Sequence, residues 1–377
     1  MNRRFFLTST TLAAAGLSFR NVLTTAHASP ATFRAWEVGE RKGPAGMRLV
    51  ERSAPVAGPG EVVIEVHASA INARDRAIVG GVFPPNVAAT RVPLSDGAGR
   101  VVAVGDGVTQ VAVGDRVISA HLIDWLSGPW KTTYFYNDIG NSVDGWLAEQ
   151  IVLPAQCLVQ VPDSVSWETA STLPVAGVTA WHALRMGGMN AKGELGSDPN
   201  PPTVLTLGTG GVSSWGVILA KLAGAKVVIT SSSDAKLERM QALGADIGIN
   251  YKTNRNWGRQ VVELTDGQGA DIVLENVGRP TLDQSMQAAA ANATIIMIGG
   301  GPPPKKLPTL NSLMLKNLTV KGLTSASRAT LVELVNAVAE YRIDAVVDKV
   351  FDFDQAVEAF QFMGKSSHIG KVVIRHR

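Results

Sequence analysis

The residues best placed to do chemistry in this chain are glycines. Leu207-Gly208-Thr209-Gly210-Gly211-Val212-Ser213 closes an apolar run, Thr203-Val204-Leu205-Thr206-Leu207, and opens a stretch with Val212, Trp215, Leu219 and Leu222 at i, i+3, i+7 and i+10. That spacing predicts a helix with one apolar face. A strand, a glycine turn and a helix start together gather free backbone amides at one point, where they meet the negative charge of a pyrophosphate. Gly208 permits the tight turn and Gly210 lets the backbone approach the phosphates. Gly211 and Val212 carry the first amides of the helix. Ser213 stands where a third glycine is usual, and it is small enough for close helix–strand packing. A glycine triplet alone is also an ordinary turn. Here a strand precedes it, a helix follows, and a second apolar strand, Lys226–Thr230, comes next, so the pattern points to a dinucleotide.

The end of that second strand chooses between dinucleotides. NAD sites carry an Asp or Glu roughly twenty residues past the first glycine, to hold the ribose 2′-hydroxyl. This chain has Ser231-Ser232-Ser233 there, with Lys236 just beyond. A carboxylate repels a 2′-phosphate, whereas hydroxyls and an ammonium bind it. The expected cofactor is therefore NADP(H). The same residues also suit a helix N-cap with a solvated lysine, and the two roles are compatible.

These motifs need elements to position them, and 377 residues favour two domains over one. Apolar residues make up 45% and charged residues 18%, a globular composition. The stretch after the first thirty residues reads as strands and tight turns: Glu61–Val66, then Gly99-Arg100-Val101-Val102-Ala103-Val104-Gly105, then Gly114-Asp115-Arg116-Val117. From about Ser166 helices alternate with short apolar strands at 203–207, 226–230, 271–274, 294–298 and 318–320, the texture of a parallel sheet covered on both faces. The last fifty residues return to helix and strand and are expected to complete the first domain. Residues 121–143 are aromatic and polar without a period, and read as a long loop of the kind often found beside a cleft. Trp125, Trp130, Tyr134, Phe135 and Tyr136 lie in it; they suit a flat apolar substrate, although core packing is the commoner use of such residues. Cys157, the single cysteine, sits in a strand-like stretch and rules out an intrachain disulfide.

The first residues read as an address. Arg3-Arg4-Phe5-Phe6-Leu7, a mild apolar stretch to Phe19 and Ala26-His27-Ala28 resemble a twin-arginine export signal spanning residues 1–28. Arg20 interrupts the apolar run well short of a membrane span, so stable membrane insertion is not expected. The twin-arginine translocase is thus an expected partner and the periplasm the expected location, with the cytoplasm as the alternative. Without Arg3, Arg4 and Arg20 the rest of the chain balances 32 basic against 32 acidic side chains, which argues against a nucleic-acid binder.

Further motifs share one pattern. They are Asp96-Gly97-Ala98-Gly99, Gly114-Asp115-Arg116-Val117, Gly145-Trp146-Leu147-Ala148-Glu149, Leu173-Pro174-Val175-Ala176-Gly177-Val178-Thr179-Ala180-Trp181, Leu243-Gly244-Ala245-Asp246 and His368-Ile369-Gly370-Lys371-Val372-Val373. With the glycine loop they make residues 33–377 resemble the medium-chain dehydrogenase/reductase superfamily, nearest its zinc-independent, quinone-reductase-like branch. The resemblance implies an α/β fold: a doubly wound parallel Rossmann sheet at 170–325, and a strand-rich, partly barrel-like GroES-like domain at 31–169 that is completed by 326–377. It implies further cofactor contacts at Thr179, Tyr251, Val277 and Gly299, with Tyr251 near the 2′-phosphate. It also implies a homodimer through the strand near Leu318–Val320. The positions of the family's zinc ligands hold Asn72, Ser95 beside Asp96, and Val175, so no metal is expected.

Without a Lewis acid, oxidising a simple alcohol demands a well-placed base, whereas hydride addition to a quinone or enone needs only donors that hold the growing oxyanion. Asn72 and Asp75 match the polar residues of the family's reductase pocket and are the catalytic candidates. Asn72 would orient substrate or ribose; Asp75 would relay a proton or simply pair with Arg74 or Arg76. His67, His121 and His182 show no partner pattern, so core or surface roles are expected of them. Three readings follow: an NADP(H)-dependent reductase of quinones or activated alkenes and carbonyls, a zinc-free NADP-dependent alcohol dehydrogenase, and a non-catalytic NADP-binding protein.

Overall fold

A computed structural model describes residues 32–82, 87–190, 192–195, 201–304 and 308–376; residues 1–28, where an export signal is expected, lie outside them. The chain opens with an antiparallel pair, β1 (Thr32–Glu37) and β2 (Arg48–Ser53). Five strands follow: β3 (Glu61–Ile71), β4 (Asp96–Val104), β5 (Arg116–Ser119), β6 (Gln150–Pro154) and β7 (Leu158–Gln160). The short helix α1 (Ala73–Val79) directly follows β3. β3 is central, pairing antiparallel with both β4 and β6. Its alternation is imperfect because both faces are covered over much of its length: Val62, Val63 and Ile64 are all buried.

After α2 (Trp167–Ala170) and α3 (Val178–Met186) the second domain begins. Its strands are β8 (Thr203–Leu207), β9 (Lys226–Ser231), β10 (Ile247–Asn250), β11 (Ala270–Glu275), β12 (Ala289–Met297) and β13 (Thr319–Gly322). Between them run α4 (Gly211–Leu222), α5 (Asp234–Ala242), α6 (Trp257–Leu264), α7 (Leu282–Ala288) and α8 (Asn311–Leu315). All six strands are parallel, in the order β10-β9-β8-β11-β12-β13. The order reverses between β8 and β11, the switch point where doubly wound sheets bind ligands at the carboxyl ends of their strands.

The chain then returns. α9 (Arg328–Glu340) packs Leu331, Leu334, Val335 and Val338 into the core shared with α3 and α4. β14 (Val347–Asp352), α10 (Ala356–Gly364) and β15 (Lys371–Arg375) join the first domain, where β15 lies between β14 and β3. An α/β protein with a Rossmann-type parallel sheet and a strand-rich GroES-like domain is therefore the fold. The 121–143 stretch holds one short 3-10 turn, Thr132–Asn137. It is pinned to the start of α9 by backbone bonds from Arg328 and Ala329 to Trp125 and Leu126. Trp125 stacks on Tyr134 and meets Trp130 edge-on, so the aromatics form one cluster.

The predicted apolar face of α4 is broader in the structure. Trp215 and Leu219 are buried as the spacing implies, but so are Ser213, Ser214, Gly216, Val217 and Ala220. The helix is sandwiched between the sheet and α3, and small residues permit that close approach. Val212 is only partly buried: it packs against this core and also lines the cleft between the domains.

The closing strand also buries a histidine. His376 bonds Ser69 Oγ through Nε2 at 2.9 Å, and burial pushes its pKa down from 6.5 to about 3. Between those values the unfolded chain takes a proton that the folded chain refuses, so folding stability drops as pH falls from about 6.5. His376→Gln keeps a donor for Ser69 without the titration. Its acid limb should be shallower by up to about 1.4 kcal/mol per pH unit in chemical denaturation between pH 6 and 4.

Candidate active site

The cleft between the domains measures about 300 Å³, and five of the residues singled out from sequence line it: Asn72, Gly210, Gly211, Val212 and Val277. Arg76, Ala176, Asn276, His368 and Lys371 line it too. Gly208 turns with φ +80°, a conformation few L side chains adopt. A Cβ on Gly210 would project into open space, the volume that bound phosphates need. Ser213 Oγ donates to Leu207 O at 2.8 Å and holds the start of α4 against the end of β8. Asn276 donates to Ser213 Oγ and Thr206 Oγ1, while its own Oδ1 is buried without a partner on the cleft wall. That leaves an acceptor for a ribose hydroxyl, and the loop fits a dinucleotide.

A second strand of the chain reaches this loop. Gly370 N–H donates to Thr209 O at 2.8 Å, so the two domains are stitched at the glycine turn itself. Lys371 follows and runs beneath Gly211, where an added Cβ would lie 2.6 Å from Lys371 Cδ. The ammonium is only 2% exposed, 2.6 Å from Asn72 Oδ1 and 2.9 Å from Asp96 Oδ2. Asn72 Nδ2 completes the ring by donating to Asp96 Oδ2 at 2.8 Å. Asp96 Oδ1 is buried and unpartnered. Sequence reasoning quoted Lys371 and Asp96 only as parts of motifs; residues 275 positions apart meet through β-pairing that no local pattern announces.

Asp75 has a different role from the one expected. It is fully buried, bonded to Asn72 N–H at 2.8 Å and to Ser95 N–H and Oγ at 3.2 and 2.8 Å. Burial pushes its pKa up, with Asp96 adding to the effect and Arg74 opposing it. No ion pair to Arg76 or Arg74 forms among the described contacts, and the carboxylate anchors the first turn of α1. It is a positioning residue, because every acceptor it offers is taken up by the protein.

Arg74 points the other way along α1. It donates to Asp138 Oδ2, and one guanidinium nitrogen lies 2.7 Å from His121 Nδ1. His121 Nδ1 is 2.9 Å from Asp138 Oδ1 and Nε2 is 2.7 Å from Ser325 Oγ. Burial works against the Asp138 carboxylate, but Arg74 and the imidazole outweigh it and hold the group well below the usual carboxylate range. His121 sits in the core as expected, held by internal bonds, and His182 Nδ1 bonds Ser325 O at 2.8 Å. The spacing between 74, 121, 138 and 325 carries no sequence signal.

At the adenosine end the residues are more dispersed. Ser231 is buried at the end of β9, and its carbonyl accepts from Tyr251 N–H at 3.0 Å, which brings Tyr251 beside Ser231 and Ser232. The Ser233 side chain makes no cap bond, so the helix-cap explanation of the serines is not used here. The only nearby carboxylate of that turn, Asp234, is engaged by Asn250 at 2.8 Å. Lys236 reaches across to Ser366 O at 2.7 Å, and burial lowers its pKa. Gly299 N–H bonds Glu275 O at 3.0 Å, and a Cβ there would strike Asn276 O, so Gly299 shapes the loop after β11. The buried Glu275 carboxylate gathers Val277 and Gly278 N–H and the Thr281 and Ser285 hydroxyls, fixing that loop. Thr179 is buried within α3 and does not line the cleft.

A zinc ion does not fit the donors present. Asn72 is committed to Asp96 and Lys371, the Ser95 hydroxyl to Asp75, and Val175 has no donor atom. Zinc wants thiolate, imidazole or carboxylate in a tetrahedron, and an ammonium already lies against Asn72 and Asp96. Among the described residues no cluster of three His, Cys, Asp or Glu side chains is arranged to hold a metal.

Family comparisons agree with this architecture. Residues 58–163 match the alcohol dehydrogenase GroES-like domain, and residues 211–340 match the zinc-binding dehydrogenase domain. A zinc-type alcohol dehydrogenase-like protein of Schizosaccharomyces pombe is 37% identical over 321 residues, 84% of this chain and 91% of its own. The chain is a medium-chain dehydrogenase/reductase. A Sinorhizobium meliloti protein assigned as an alcohol dehydrogenase superposes with a TM-score of 0.84 at 34% identity, covering 93% of this chain and 100% of its own. An NAD-dependent alcohol dehydrogenase structure gives 0.81 at 30% identity, over 91% of this chain and 100% of that one. Medium-chain enzymes are nicotinamide-dependent oxidoreductases, and this chain shares that general character.

In this medium-chain oxidoreductase the buried Lys371–Asp96 pair should be costly to break and cheap to remove whole. Lys371→Met should lose about 3–5 kcal/mol by leaving a buried carboxylate uncompensated. Lys371→Met with Asp96→Asn should regain most of it; equal losses in the single and double variants, by urea denaturation, would refute the pairing.

Proposed function

We propose that this chain is a metal-independent, NADP(H)-dependent oxidoreductase that adds hydride to an acceptor activated by a carbonyl, namely a quinone, an enone or an aldehyde. The observation that supports it most is the Lys371–Asp96–Asn72 ring under the glycine loop, where an ammonium takes the place among the ligand positions that zinc would need. Bound there, a reduced nicotinamide supplies the hydride. The chain's own residues do the rest. Glycine-loop amides hold the phosphates, Lys371 supports the loop from beneath Gly211, and Asn276 Oδ1 takes a ribose hydroxyl. Val212 and Val277 press on the cofactor from the nucleotide domain.

Support for the phosphorylated dinucleotide comes from the end of β9, where Ser231, Ser232, Tyr251 and Lys236 lie near one another and the carboxylate of that turn, Asp234, is engaged by Asn250. A second reading, alcohol oxidation by NADP⁺, takes its reaction from the relatives that carry alcohol dehydrogenase names, one of which is named NAD-dependent. Two further parts of the reading concern place and assembly. Export by the twin-arginine pathway rests on Arg3, Arg4 and the Ala26-His27-Ala28 site. A homodimer rests on β13, the open edge of the six-stranded sheet, and on the exposed Val320, Met314 and Leu315 beside it.

The test is oxidation of NADPH and NADH by the purified chain against a panel of quinones, enones and aldehydes, with a chelator present. NADPH should be preferred at least tenfold in kcat/KM, and the chelator should change nothing. Lys236→Glu should weaken NADPH binding by an order of magnitude and leave NADH binding nearly unchanged. A preference for NADH, or activity that disappears with chelation, would refute the reading.

A further inference from the structure

We infer that the cavity between β5, β7 and α9 is a second ligand site, built for a small organic polyanion and held by Arg100, Arg116 and Arg328. It measures about 640 Å³, against about 300 Å³ for the cofactor cleft, and the two share no lining residue. Register brings two of the arginines together. Arg100 of β4 lies directly opposite Arg116 of β5, and like charges facing one another across an antiparallel pair repel. Both guanidinium groups lie over one indole, Arg116 at 3.9 Å and Arg100 at 5.9 Å from the centre of the Trp167 ring. Arg328, the first residue of α9, brings a third guanidinium to the same cavity.

The hydrogen bonds of these arginines orient them without neutralising them. Arg100 donates to Gly114 O at 2.7 Å and Arg328 to Leu158 O at 2.7 Å. Arg116 donates to Val165 O at 2.6 Å and to Pro162 O at 3.3 Å. Every one of these acceptors is a backbone carbonyl. Two carboxylates line the cavity. Asp115 is occupied by Ala112 N–H at 2.9 Å and Gln160 Nε2 at 2.6 Å. Asp163 meets Arg116 at 3.4 Å from a side chain that is 95% exposed, where water screens the pair. Three cations therefore stand against one loose ion pair. The Arg116 side chain is only 10% exposed, and its Nε is buried without a partner. A charge withdrawn from water in this way is costly until an anion answers it.

These contacts also specify the ligand's chemistry. Guanidinium forks grip the paired oxygens of phosphate and carboxylate groups. One acidic group between Arg100 and Arg116 relieves their repulsion, and a second meets Arg328. Arg328 is anchored at Leu158 O and Arg116 at Pro162 O, four residues on, which is about 13 Å along an extended chain. The ligand thus carries its acidic groups at the two ends of an elongated body. The amides of Gln110 and Asn336 make the wall between them polar, which suits hydroxyl groups on that body. A hydroxylated chain of sugar size with phosphate or carboxylate at each end meets all of these demands.

The site is tested by isothermal titration of the full-length chain with fructose 1,6-bisphosphate, glucarate and gluconate, each with and without excess NADP⁺. The first probe carries two phosphates, the second two terminal carboxylates, and the third a single carboxylate. At least one of the doubly acidic probes should bind one-to-one, about tenfold or more tighter than gluconate, and NADP⁺ should leave its affinity unchanged. Arg100→Glu alters an exposed side chain, and Arg328→Gln keeps a donor for Leu158 O. Each should weaken that binding about tenfold or more with little change in Tm. Lys236→Glu, at the adenosine end of the cofactor site, should leave it untouched. Binding that survives both arginine variants, that NADP⁺ displaces, that potassium chloride at matched ionic strength reproduces, or that is absent with both doubly acidic probes overturns the site. The hydride-transfer reading stands or falls separately, on NADPH oxidation.

Discussion

The arrangement of this enzyme depends on one ammonium group kept out of water. Taking a lysine charge into a protein interior costs several kcal/mol unless it is fully paired. Lys371 meets that requirement with one carboxylate and one amide oxygen supplied by β4 and the end of β3. The residue before it bonds the glycine turn of the other domain. Phosphate loop, metal-ligand positions and domain junction therefore share a single buried contact set, and none of the three can shift without disturbing the others.

Helix α1 divides the site into two electrostatic compartments. Asn72 and Asp75 look toward Asp96, Ser95 and Lys371, whereas Arg74 looks toward Asp138, His121 and Ser325. One compartment carries the buried ammonium beneath the glycine loop; the other carries a buried imidazole bonded to Asp138 and Ser325. Separating them by a single helical turn keeps Lys371 and Arg74 from competing for the same carboxylate.

The aromatic segment 121–143 contributes through its attachment more than its own folding. Stacking among Trp125, Trp130 and Tyr134 holds the segment together, while backbone bonds to the start of α9 and the edge contact of Trp125 with His182 dock it. His121 begins the segment and Asp138 lies near its end, so the same docking that closes the junction brings the ring to its carboxylate.

Much of this was legible in the residues themselves. Short-range rules suffice for β8, the glycine turn and α4, because the strand period, the positive φ of Gly208 and the helix start all act within a dozen positions. The absence of zinc-type ligands at 72, 95 and 175 could be read in the same way, and the NADP(H) expectation rests on Ser231, Ser232 and Lys236. What only the tertiary structure decided is which polar residues share a site. Asp75 became an internal anchor, Thr179 a core residue, and His121 a partner of Ser325 two hundred and four positions away. Hydrogen bonds of that kind are made by strand order and domain closure, which depend on the summed packing of the whole chain; no local sequence window contains them.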